Sequence, residues 1–254
     1  MRTLLTLTRK EFFEATRNYK LFIIPVVFML LAAMQPLTFY YMPDLMKMAV
    51  FTEGTIIQIP LPSAEETINS IYLQLAQLGL IILILVSMGT ISNELKTGVA
   101  ETILTKPVAR TNFVAAKWIF YFTLTIISCI LAVIAGNYYT AYLIGTAEWL
   151  PIIKSGLYFL LFMLLFVAFT LFLSTIFRSG IVAGVIAIIV NFIFTILASF
   201  SLKYWFLPSY LLTISQNLLL DRKLEYVGLS IIFSLLLLVI FFTGSIYQLY
   251  RKDI

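Results

Sequence analysis

Asn93-Glu-Leu-Lys-Thr-Gly-Val-Ala-Glu-Thr-Ile-Leu-Thr-Lys-Pro-Val-Ala-Arg-Thr-Asn-Phe-Val-Ala-Ala-Lys117 is a polar island between two apolar runs. Each run has the roughly 20 residues that an α-helix needs to cross a bilayer. Within the island, Thr97 to Leu104 has helical spacing, with Val99, Ile103 and Leu104 on or near one side. Gly98 weakens that helix near its start, and Pro107 lacks the N–H needed to continue it. Thr111 is then placed to cap the next helix. The pattern predicts a short helix across the membrane surface, held between two spanning helices. An ordinary cytoplasmic loop is the alternative reading.

Composition supports the spans. Of 254 residues, 61% are hydrophobic and 11% charged, against roughly 45–50% and about 25% in soluble domains. The expected fold is all-α and polytopic in the membrane, a single transmembrane domain over residues 1–254. That length leaves no room for a sizeable soluble domain. The single cysteine, Cys129, lies in an apolar run and reads as a small buried residue. Histidine is absent, which removes the commonest metal ligand and proton shuttle.

Outward from the island, residues 1–20 read as an uncleaved amphipathic helix lying in the interface. Leu4, Leu5, Thr8, Phe12, Ala15 and Tyr19 share one side; Arg2, Arg9, Lys10, Arg17 and Lys20 cluster on another. Spans are expected at about 21–41, 71–92, 113–137, 155–177, 180–202 and 227–250. Ser63-Ala64-Glu65-Glu66 is a capping box, so the second long helix should start near Ala64. Ser128, Ala132 and Gly136 recur every four residues, which lets a neighbouring helix come close. Gly180, Ala183, Gly184 and Ala187 form a second small-residue face, for packing within the chain or for a dimer contact. Residues 203–226 are apolar but interrupted by Pro208, Thr213, Ser215, Gln216 and Asn217. They read as a broken, re-entrant or interfacial segment, with a seventh span as the rival. Asp221 is a candidate cap for the last span.

Charge fixes the expected orientation. With six spans and the N-terminus inside, Arg2, Arg9, Lys10, Arg17, Lys20, Lys96, Lys106, Arg110, Lys117, Arg178, Arg251 and Lys252 are cytoplasmic. Lys47, Lys154, Lys203, Arg222 and Lys223 are outside, so 12 of the 17 basic residues lie inside, as the positive-inside rule requires. The net charge of +5 is thus an orientation signal and gives no reason to expect nucleic acid.

The chemistry of the chain is sparse. The cores of the spans carry no Asp, Glu, His, Lys or Arg, with Lys117 and Lys154 near span ends, which counts against self-powered proton coupling. No G-x-x-x-x-G-K-[ST] occurs in these residues, so they hold no phosphate-binding loop. No catalytic constellation and no metal cluster is legible, and the chain is not expected to be an enzyme by itself. Gln74, Gln77 and Asn191 are the notable polar groups within spans, read as interhelical hydrogen bonds or as a substrate path. If such a protein moves a solute uphill, a partner must supply the energy, and the central island is the best docking surface.

The island resembles the corresponding segment of type-2 permease subunits of ABC transporters, most of them exporters. The residues that carry the resemblance are Glu94, Gly98, Leu104-Thr105-Lys106-Pro107 and Arg110; Arg9-Lys10-Glu11 with Arg17-Asn18 is similar to the family's N-terminal helix. The resemblance implies a pair of permease chains, identical or sister, each seated on a separately encoded ABC ATPase that binds ATP and Mg; this chain binds no cofactor itself. It implies that 94–110 is a cytoplasmic coupling helix between spans 2 and 3, seated in a cleft of the ATPase. Val99 and Leu104 would supply apolar contact, and Glu94, Glu101, Lys106 and Arg110 polar register. It also implies a multi-pass cell-membrane protein with both termini cytoplasmic. An apolar interior favours a lipid-like or amphipathic peptide substrate. A channel or secondary carrier, or an immunity protein that sequesters a toxic peptide or lipid, are the alternatives.

Overall fold

The architecture follows from where the apolar runs stop. The computed structural model describes residues 2–49, 61–104, 109–199 and 205–252. Among the described residues all regular elements are helical. In chain order they are α1 (Arg2–Arg17), α2 (Lys20–Ala49), α3 (Ala64–Gln74), a π-helical turn (Leu75–Gly79) and α4 (Leu80–Ser87). Then come α5 (Ser92–Lys96), α6 (Val99–Leu104), α7 (Arg110–Leu143), α8 (Trp149–Ile176), α9 (Gly180–Ser199), α10 (Tyr210–Leu219) and α11 (Val227–Arg251). Six of these stretches are long and apolar enough to cross a membrane: Lys20–Asp44, Ala64–Lys96, Arg110–Leu143, Trp149–Ile176, Gly180–Leu197 and Val227–Arg251. They correspond to the six expected spans and run past several of the expected boundaries.

The capping box forms as read. Glu66 N–H donates to Ser63 Oγ at 3.2 Å, and Ser63 N–H donates to Glu66 Oε2 at 3.0 Å. It starts a run to Lys96 of 33 residues, and α7 has 34. At 1.5 Å per residue α7 is about 50 Å long, well beyond a hydrocarbon core of about 30 Å. The arm after the island is therefore the longest single helix among the described residues, and the arm before it is helical to Ser87 and turns before α5.

The helix α8 is the centre of the bundle, with 67% of its apolar window buried, against 11% for α11. Tyr72 of α3 stacks on Phe159 at 4.9 Å and donates its hydroxyl to Ile152 O at 3.1 Å. Two glycine faces set the closest approaches. A Cβ on Gly136 would stand 2.8 Å from Ile71 and 3.4 Å from Ala32, so α7 meets α3 and α2 there as the four-residue spacing implied. A Cβ on Gly180 would stand 2.7 Å from Gly89 Cα, and one on Gly184 would strike Met88 Sδ. Ala183 and Ala187 are fully buried. The face formed by Gly180, Ala183, Gly184 and Ala187 thus packs inside the chain, against the turn after α4.

Several local expectations change. The helix expected from Thr97 begins at Val99, because Gly98 (φ 74°) adopts the left-handed conformation and separates α5 from α6. Thr111 does not cap α7: the cap lies two residues earlier, at extended Ala109, and Arg110 is drawn inward as described below. Asp221 does not cap α11, whose cap is Tyr226. Asp221 instead sits in the left-handed region (φ 49°) closing α10, where Arg222 N–H reaches Asn217 O at 2.8 Å. The interrupted segment holds α10, a 10-residue helix with Leu211, Ile214 and Leu219 buried. At about 15 Å it is too short for a seventh span. Ser215 Oγ ties it to Ser155 O of α8 at 2.9 Å.

Candidate functional site

Helix α1 folds back on the start of α7. Phe12 packs edge-on to Phe120 at 5.1 Å, and Ala15 is buried. The apolar side expected to face lipid is therefore split. Phe12 and Ala15 face protein, while Leu5 and Tyr19 are exposed at 70% and 66%. The basic side is split as well, because Lys10 turns inward.

On α7, Lys117 lies one turn before Phe120 and Tyr121, on the same stripe. It is 1% exposed. Its ammonium stands 3.0 Å from Glu11 Oε1 and 2.8 Å from Glu94 Oε2. The second contact is an ion pair off the hydrogen-bonding direction. Lys10 Nζ donates to Glu94 Oε1 at 2.7 Å, and lies 3.4 Å from Glu11 and 3.6 Å from Glu14. Two ammonium groups and two carboxylates thus alternate around a closed ring that joins α1, α5 and α7. Burial opposes the charge on Lys10, but its hydrogen bond to Glu94 and the carboxylates of Glu94, Glu11 and Glu14 outweigh it and hold its pKa above the usual lysine range. A buried charge is tolerated only when paired in this way. Sequence reasoning placed Lys117 near a span end and missed its burial. The available signal was a lysine flanked by Phe113, Trp118 and Phe120, with acidic residues in both neighbouring polar stretches.

The turn between α4 and α5 is anchored from the other side. Ile91 and Ser92 N–H both donate to Ser174 Oγ of α8 at 3.1 Å. The start of α5 is therefore held by α8 on one side and, through Glu94, by Lys10 and Lys117 on the other, and the chain then turns at Gly98 into α6. Val99 is 41% exposed, and Thr102 is exposed. The side chains of Glu101 and Leu104, and the whole of Thr105, Lys106 and Pro107, lie outside the described residues. Where the chain is described again, Arg110 is committed inward: Nη1 donates to Leu249 O at 2.6 Å and to Lys252 O at 3.3 Å. Burial and the charge of Arg178 hold the neighbouring Lys252 below the usual lysine range.

Two cavities flank this frame. One of about 380 Å³ lies beside the ring and is lined by Glu14, Lys20, Thr90, Asn93 and Tyr121 among others. The other, about 390 Å³, has only apolar lining residues, including Phe166, Val190, Phe206, Pro208 and Leu237. Both have the size of small-molecule sites. The polar candidates Gln74, Gln77 and Asn191 line neither cavity. Gln74 Oε1 and Asn191 Oδ1 are buried without a hydrogen-bond partner, so the expected interhelical bonds are not made through these oxygens. Gln77 is exposed. Among the described residues no group of His, Cys, Asp and Glu is arranged to hold a metal ion.

Comparison with known proteins agrees with this layout. The sequence profile of the ABC-2 family transporter proteins matches residues 5–220. The uncharacterized transmembrane protein YxlG of Bacillus subtilis (strain 168) is 28% identical over 261 aligned residues, which cover 100% of this chain and 99% of that protein.

Proposed function

The chain belongs to the ABC-2 family of transporter proteins, and on that premise we propose that it is the membrane-spanning permease of an ATP-driven exporter. ATP and Mg bind a separately encoded ABC ATPase, and a second permease chain, identical or sister, completes the unit. The observation that carries this reading is the pair of anchors that bracket residues 98–109, Glu94 before them and Arg110 after them. These residues connect the second span to the third. A partner that pushes on them acts on both spans at once. Val99 and Leu104 supply apolar contact to the partner, with Glu101 and Lys106 giving register.

The orientation that follows puts this segment and both termini in the cytoplasm of a cell-membrane protein. The apolar cavity between α8, α9 and α11 favours a lipid-like or amphipathic peptide substrate over a small hydrophilic ion. The test is mild solubilisation of the tagged chain from its native membrane. A stoichiometric ATPase is expected, lost when Val99→Asp and Glu101→Gln are combined while membrane insertion is kept. Recovery of the chain with no nucleotide-binding subunit would contradict the reading.

A further inference from the structure

The last span, α11, is the least enclosed of the six, with 11% of its apolar window buried. Its side-chain ties include Phe241, against Phe169 and Phe172, and Phe242, against Trp118. A helix end leaves its last four carbonyls without partners and carries partial negative charge. At the end of α11 the chain continues extended through Lys252 (φ −82°, ψ 120°), so it does not fold back into a left-handed cap. Arg110 does the capping from 139 residues away. Its Nη1 donates to Leu249 O at 2.6 Å and to Lys252 O at 3.3 Å, and its guanidinium lies 5.2 Å from the Tyr250 ring. Planar, always charged and fitted with several donors, a guanidinium can bridge two carbonyls and a ring as an ammonium cannot.

We propose that Arg110 is a positioning residue that clamps the end of α11 to the start of α7, so that a displacement entering α7 from the preceding polar island is delivered to the last span as well. This rests on the coupling reading above and changes one part of it. Arg110 is spent inside the chain, and the partner reads the residues between Glu94 and Arg110. The segment has a clamp at each end, with Glu94 bound to α1 and α7 and Arg110 bound to α11.

The test uses the full chain with Cys129→Ala, which removes its only cysteine, and spin labels at Thr111→Cys and Tyr247→Cys, both exposed. A narrow distance distribution is expected. In Arg110→Gln the undocked fraction should rise about tenfold, the population equivalent of one lost charge-assisted hydrogen bond. Arg110→Lys should restore part of the narrow population, and should still show partial broadening if the glutamine variant does not insert. The ATPase should co-purify with all variants. A distribution that stays narrow in Arg110→Gln would overturn the clamp, and so would loss of the ATPase from that variant alone, since it would make Arg110 a partner contact. If the unsubstituted chain brings down no ATPase, the coupling reading fails, while the distances still decide the clamp.

Discussion

Two cavities of this protein are nearly equal in size and different in construction. The one beside α1 is walled by Glu11, Glu14, Glu94, Lys20 and Lys117; the one between α8, α9 and α11 has only apolar walls. In the first region a few directional contacts fix each group, and removing one leaves another charge stranded. In the second, many weak contacts share the load, and side chains can shift to take up a change. The difference teaches where a shape change could originate. The charged junction suits an element that moves as a unit, and the apolar region suits one that adapts to what enters it.

Substitutions can break this contrast. The largest effect is expected for Lys117→Ala, which strands Glu11 and Glu94 with only half-exposed Lys10 between them. Removing one partner of a buried ionic set costs about 3–5 kcal/mol, so thermal stability in detergent should fall sharply. Gly180→Ala comes next. Its methyl would stand 2.7 Å from the backbone of Gly89, and overpacking of this kind costs about 1–3 kcal/mol. Leu237→Ala, beside the apolar cavity, should cost about 2 kcal/mol, the low end for such truncations, because one of its sides already faces open space. Gly184→Ala should cost less than about 1 kcal/mol, since the atom in its way is on Met88, a flexible side chain. Melting curves of the four variants check the order. If Leu237→Ala proves worse than Lys117→Ala, the contrast between the regions is wrong.

The pH response sharpens the same point with a smaller effect. The pKa of Lys10 is raised on folding, so its contribution is fully present below the ordinary lysine value of about 10.4 and is lost as pH rises through the higher folded value. The docking of α1, followed by crosslinking between cysteines placed on α1 and α7, should therefore hold through neutral and moderately alkaline pH. Undocking near pH 8 would contradict the ring.

Much of this fold was legible because bilayer physics writes long apolar runs into the sequence. Ser63 and Glu66 announced a helix start, Gly98 a break, and Gly136 and Gly180 close approaches, each through a local rule that tertiary packing did not override. What stayed hidden depended on distant partners. A helical wheel gave α1 one apolar side and one basic side, but it could not show that Phe12 meets Phe120 or that Lys10 meets Glu94. Arg110 read as a polar contact to the ATPase because the carbonyls it caps belong to Leu249 and Lys252, at the far end of the chain. Pro208 and the polar run after it argued correctly against a seventh span, yet gave no hint that Ser215 would bond to Ser155.

The central claim is that Gly98–Ala109 seats on a separate ATPase. Its most direct test is a photo-crosslinker carried on Thr102→Cys, with Cys129→Ala, activated in native membranes. The account predicts one dominant adduct, with a subunit that contains a phosphate-binding loop, and none from the same probe placed at exposed Ile189 on α9. Equal labelling from both positions, or no protein adduct from Thr102→Cys, would contradict it.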